Sequence, residues 1–196
     1  MEPAIKTAKP SPLVLDTHEL SRRPGTMQEV ARVVPAPADM GTAVIGVPEG
    51  DDLILGLRLE SVMEGVLVSG VVRGTAVGEC VRCLDPVSQQ VTVHVQELFA
   101  YPERAQAAED SGDEDAEDEA VLVDDQADLE PAVRDSLVTA LPFQPLCRPD
   151  CPGLCSVCGA RLADDPDHHH DLVDPRWSAL QTMLEESSVS DETKES

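Results

Sequence analysis

The sequence predicts an α+β fold: an antiparallel sheet, or a small and partly open β-barrel, joined to two short helices and a Cys/His metal-binding segment. Three observations predict it. Apolar residues alternate with polar ones through 52–60 and 91–96, the period of a half-buried strand. In 128–141 and in 174–184 they recur at helical spacing instead. Four of the six cysteines lie between Cys147 and Cys158, the pair Cys80 and Cys83 stands far upstream, and His168-His169-His170 follows.

Residues 1–12 hold three prolines and read as a disordered lead-in to a β-rich part, 13–104. Leu13-Val14-Leu15 is a short apolar patch suited to an edge strand, and Arg22-Arg23-Pro24-Gly25 is a turn signal. Residues 27–34 fit a strand or a helical turn that Pro35 and Pro37 end. Leu53, Leu55, Leu57 and Leu59 alternate with Asp52, Ile54, Gly56, Arg58 and Glu60, and residues 62–72 are valine-rich but broken by Gly65 and Gly70. Val91, Val93 and Val95 alternate with Thr92, His94 and Gln96, which makes His94 a polar-face side chain. Cys80-Val81-Arg82-Cys83 falls between two strands, ahead of a turn at Asp85-Pro86, where both sulfurs can face one side.

An acidic disordered loop is expected over 105–127. Eight carboxylates crowd residues 109–119, and with Asp124, Asp125, Asp128 and Glu130 the run reaches twelve without a Lys or Arg. It reads as a solvated linker, or more sharply as a polyphosphate mimic that shields or presents a basic partner. Its spacing does not fit an EF-hand. Residues 128–184 then complete the domain. Asp128, Glu130 and Pro131 open a helix with Val133, Leu137, Val138 and Leu141 on one face, and Pro142 ends it. The cysteine-rich loop comes next. Asp174 and Pro175 open a last helix with a stripe of Trp177, Leu180 and Leu184. Residues 185–196 read as an acidic disordered tail.

Net charge is −24, and −12 without the acidic run. Such a surface repels phosphates, so direct RNA or anionic-lipid binding is disfavoured and basic proteins are attracted. Four aromatics, Phe99, Tyr101, Phe143 and Trp177, are too few for a base-stacking platform. No stretch has the length of a signal or membrane-spanning segment, so a soluble cytoplasmic protein is expected. In a reducing compartment six cysteines favour metal over three disulfides.

Thiolates and imidazoles at these spacings suit tetrahedral zinc, one or two ions. Three groupings are compatible with the spacing. One joins Cys80 and Cys83 to Cys147 and Cys151, and Cys155 and Cys158 to His168 and His170; one exchanges those partners; one puts the four clustered cysteines on one ion. The first is preferred, because Cys158 to His168 closes a local loop, Gly159 permits a tight turn, and His168 and His170 point the same way on an extended chain. Asp164, Asp165, Asp167 and Asp171 flank these imidazoles and could orient them. The ligand count suits closed sites. Neither HExxH, a phosphate loop nor a nucleophile–base pair is present, so no catalytic residue is assigned.

Gly78-Glu79-Cys80-Val81-Arg82-Cys83-Leu84-Asp85-Pro86-Val87 resembles the signature of the YceD family. So do Asp128-Leu129, Thr139-Ala140-Leu141-Pro142, the run from Pro145 through Cys147, Cys151, Cys155 and Cys158 to Gly159, and Asp174-Pro175-Arg176-Trp177. The resemblance covers roughly residues 13–184. Family members often carry Cys-x-Cys where this chain has His168-x-His170, and the acidic insert is not a family feature. The resemblance implies a bacterial cytoplasmic factor in the accumulation of 23S rRNA, through its synthesis, processing or stability. Joined to the charge, it points to a zinc-stapled acidic adaptor for a basic ribosomal protein or a large-subunit assembly intermediate, with no membrane and no small-molecule substrate. Arg22, Arg23, Arg32, Arg73 and Arg82 are candidates for a minor RNA-facing patch. The alternatives are a metal-dependent RNA-processing or modifying enzyme, and a thiol redox sensor.

Overall fold

The computed structural model describes residues 11–20, 22–111 and 119–170. Most of them form antiparallel sheet. β1 (Val14–Asp16) pairs with β8 (Gln126–Asp128) in a small two-stranded sheet. The large sheet holds β2 (Met27–Pro35), β3 (Met40–Gly41), β4 (Ile45–Val47), β5 (Asp52–Ser61), β6 (Gly65–Glu79) and β7 (Pro86–Ala100). β6 is its spine. It pairs along its whole length with β7 on one side, and on the other with β5 first and β4 further on. β2 borders β5 and β3 borders β4. Among the described residues β2 and β7 do not pair, so the sheet is open and not a closed barrel.

The alternation in the sequence sets the faces. Leu53, Leu55, Leu57 and Leu59 of β5 are buried, and the register continues that face through Val68 and Val72 of β6 to Val93 of β7. Ile54, Arg58, Arg73, Thr92 and His94 lie on the opposite face, and His94 is exposed as its strand position requires. The expected break at Gly65 and Gly70 does not occur. β6 begins at Gly65 and runs straight through Gly70, which is paired with Leu57 on one side and Val95 on the other. Two-sided pairing overrides the freedom that glycine has in an isolated strand. Gly78 has a different use: a Cβ there would run into the Val44 carbonyl, so glycine lets β4 close on β6 just before Cys80.

Two helices are described. α2 (Glu130–Ala140) starts with proline in its first turn, and the Asp128 carboxylate accepts a hydrogen bond from the Glu130 N–H. Its buried Val133 and Leu137 lie against the core face of β7, and Leu141 caps it ahead of Pro142. The other helix was not anticipated. α1 (Pro102–Ser111) enters the stretch read as loop from 105, and β8 takes up the end of that stretch. Pro102 at the first helical position and Glu103 in the first turn satisfy the rules for starting a helix. It was missed because α1 has almost no apolar stripe; among its described side chains Ala105 is the buried one. Residues 112–118 of the acidic run, the last-helix residues Asp174, Pro175, Trp177, Leu180 and Leu184, and the tail 185–196 lie outside the described residues.

Leu13, Leu15, Leu122, Leu129 and Leu137 join the sheet's inner face in one core. Thr17 ties β1 to the segment before β8, donating through both its N–H and its hydroxyl to the Asp125 carbonyl. Among the described residues no helix is long and apolar enough to cross a membrane.

Candidate metal centre

Two compact units divide at Cys151 and Pro152, and each contains one Cys/His cluster. In the first, Cys80 and Cys83 sit on the turn between β6 and β7, and Cys147 and Cys151 on the segment after α2. Their four sulfurs lie within 4.8 Å of one another. The Cys80 and Cys151 sulfurs are 3.8 Å apart and those of Cys83 and Cys147 3.5 Å. Two bonds clamp the segments together: the Val81 N–H donates to the Pro145 carbonyl at 3.0 Å, and Arg82 Nη1 to the Cys151 carbonyl at 2.9 Å. Cys80, Cys83 and Cys151 are buried and Cys147 is exposed.

The second cluster is local. Cys155, Cys158, His168 and His170 bring their ligand atoms within 4.8 Å of one another. The two Nε2 atoms are 2.9 Å apart, and they stand 3.2 and 3.3 Å from the Cys158 sulfur. Three lone-pair donors thus converge on one point. His168 Nδ1 lies 3.7 Å from the Asp165 carboxylate, while His169 turns away and places Nδ1 2.9 Å from the Asp167 carbonyl oxygen. Of the three groupings compatible with the spacing, this is the one in which the eight side chains stand. Cys158 and His170 are exposed, and Cys155 and His168 are half-buried.

The two Cys-x-x-Cys turns share one backbone plan. Cys80 N–H donates to the Asp85 carbonyl and Cys80 C=O accepts from the Leu84 N–H. Cys155 N–H donates to the Ala160 carbonyl and Cys155 C=O accepts from the Gly159 N–H. In each turn the residue after the second cysteine has positive φ, +62° at Leu84 and +74° at Gly159. Glycine adopts that conformation freely; leucine does so at a cost of roughly 1–2 kcal/mol. The plan also aims N–H groups at the first sulfur: those of Arg82 and Cys83 at Cys80, and those of Val157 and Cys158 at Cys155.

The charges follow from this geometry. Burial pushes the Cys80 thiol up, but hydrogen bonds from the Cys147, Arg82 and Cys83 backbones outweigh it and hold the thiol at about 6. Backbone N–H groups of Cys158 and Val157 bring Cys155 to about 6 as well. The Asp85 N–H favours the Cys83 thiolate, yet burial and the neighbouring sulfurs push Cys83 up to about 12. Cys147 is lowered by its bond with Cys83 but raised further by burial and by Cys151 and Cys80. The first sulfur of each turn therefore ionises readily, while in the Cys80 cluster like charge and burial hold the next ones back. A cation among the sulfurs removes that penalty, and both donor sets could hold a metal ion.

Residues 68–184 match the family described as large ribosomal RNA subunit accumulation protein YceD. The chain belongs to the YceD family. An uncharacterized protein of Mycobacterium tuberculosis is 48% identical to it over 176 residues, which cover 89% of this chain and 82% of the relative. An uncharacterized protein of Mycobacterium leprae is 44% identical over 174 residues, 89% of this chain and 78% of the relative. No solved structure matches. All eight cluster residues fall inside the stretch that matches YceD, which begins within β6. The arginines singled out as an RNA-facing patch are largely engaged within this YceD chain. Arg22 pairs with Glu103 and Asp125 over the Tyr101 ring, Arg32 donates to the Pro12 and Val14 carbonyls, and Arg82 holds Cys151.

Exposure separates the clusters kinetically. In a chelator competition on the metal-loaded chain, metal at Cys155, Cys158, His168 and His170 should leave first, and metal at the buried cysteines at least about tenfold more slowly. Release in one phase would show that burial does not control exchange.

Proposed function

We propose that this YceD chain is a non-enzymatic, cytoplasmic factor of bacterial ribosome biogenesis. It supports synthesis, processing or stability of 23S rRNA as a zinc-stapled acidic adaptor that binds a basic ribosomal protein or a large-subunit assembly intermediate. The observation that carries the reading is the Cys80–Cys83–Cys147–Cys151 cluster. It ties the sheet to the segment after α2 and closes a loop of about 60 residues that contains the whole acidic run.

Zinc is favoured by the donors and their spacing. Sulfur and imidazole are the ligands it prefers, and tetrahedral bonds of 2.3 Å place sulfurs about 3.8 Å apart. The two sulfur pairs stand at 3.8 and 3.5 Å. When bound, zinc supplies two positive charges that keep all four thiols ionised. Four protein ligands on each ion leave no position open for substrate, which is why the role assigned is structural. The net charge of −24 favours a basic partner: a basic protein gains from the field that repels an RNA backbone.

Sedimentation of the tagged chain from gentle lysate through sucrose, at low and raised salt, tests this reading. It should travel with large-subunit precursors, and part of the association should survive raised salt because it rests on protein contacts. A chain that stays at the top of the gradient at both salts does not bind an assembly intermediate.

A further inference from the structure

Among the described residues, β7 is a long strand whose side away from β6 is free as far as Leu98. The Ala100 N–H and C=O turn away from β6 and bond to Ala120 and Leu122. The register with β6 continues without a bulge back to Pro86, so Ser88, Gln90, Thr92, His94, Gln96 and Leu98 turn their N–H and C=O the same way. Among the described residues none of these groups has a backbone partner. The opposite margin of the sheet is protected: β2 carries Glu29 and Arg32 and ends in Pro35. β7 has a proline only at its first residue, Pro86, and a charge only at Glu97, with no such device between them. Residues 87–96 contain no formal charge, no proline and no glycine, in a chain of net charge −24. A strand of that composition is a template for pairing.

We infer that β7 is a homodimer interface, in which two copies pair edge to edge, antiparallel, about a two-fold axis at Val93. Two observations favour a second copy over a strand from a basic partner, and the register permits the pairing. The edge offers such a partner no carboxylate before Glu97. Two chains of −24 can approach only where charge is absent, and these ten residues supply such a surface. The register is also self-complementary. An axis at Val93 opposes Ser88 with Leu98, Gln90 with Gln96 and Thr92 with His94, so all six outward residues pair. It keeps Val91 opposite Val95 and Val93 opposite Val93 on the buried face. At that point a notch of about 270 Å³ opens between the edge and α2, lined by Thr92, Val93, His94, Ser136, Thr139 and Ala140. The Ser136 and Thr139 hydroxyls already donate to carbonyls of their own helix, so the helix side of the notch presents no unpaired hydroxyl to the second copy's valines.

Sedimentation equilibrium of the purified full chain, as isolated with its metal, is the test. The chain should form a dimer that strengthens as salt rises, because screening relieves the repulsion between copies. Thr92→Pro removes an outward N–H and no bond to β6, and Gln96→Glu adds negative charge at the pairing edge of chains that already repel. Each should weaken the dimer about tenfold or more, with circular dichroism and metal content unchanged. A chain that remains monomeric at both low and high salt overturns the inference and leaves the edge to another protein's strand. A dimer that neither variant weakens overturns it too.

Discussion

Replacing Cys80 by Ser is expected to cost the chain one of two bound metal ions and to lower the melting temperature by more than about 10 °C. Cys80 is fully buried, and backbone hydrogen bonds from Cys147, Arg82 and Cys83 favour its thiolate. Without it the remaining three thiols must share a site in which Cys83 and Cys147 resist ionisation. The loss reaches beyond the site. The cluster joins the turn between β6 and β7 to the segment after α2, and apart from it the clamp consists of the Val81 and Arg82 hydrogen bonds. Cys158→Ser also removes one ion, but its cluster closes only a local loop, so the change in melting temperature is much smaller. Metal analysis beside calorimetry on both variants measures the difference. Equal shifts would show that the Cys80 cluster is no more a staple than its neighbour.

Leu137→Ala costs about 3 kcal/mol of unfolding free energy, read by urea denaturation. Leu137 is fully buried on α2, and that helix packs on β7. Removing its branched end leaves a cavity that rigid sheet on one side and helix on the other cannot collapse. Because Leu137 is a buried residue of the helix that leads into the segment delivering Cys147 and Cys151, the variant should also speed metal loss to chelator from the buried cluster. A destabilisation below about 1 kcal/mol would mean that the helix is not held by this side chain.

The strands with strict alternation were legible residue by residue. Leu53 to Leu59 and Val91 to Val95 alternate because one face of each is buried, and the structure buries that face. Elements decided by distant partners were legible only in part. The apolar patch Leu13-Val14-Leu15 marks β1 as an edge strand, but its partner β8 lies more than a hundred residues away, and nothing local in Gln126-Ala127-Asp128 signals a strand. β4 is held to β6 by a close approach that needs Gly78, which reads in sequence as one glycine among several. The cysteine and histidine positions were legible because ligand spacing is a local property. Their division into two groups was legible as the preferred one of three, from the local loop that joins Cys158 to His168; the alternatives stayed open because the division also depends on where the fold carries Cys147 and Cys151. One feature of the site had no signal at all: positive φ is expected at Gly159 but not at Leu84, where leucine takes the place glycine holds in the other turn.

Native mass spectrometry of the freshly purified, reduced full-length chain tests the central claim most directly. Two zinc ions per chain are expected, falling to one in Cys80→Ser and to one in Cys158→Ser. A chain that carries no metal when reduced and intact would contradict the account.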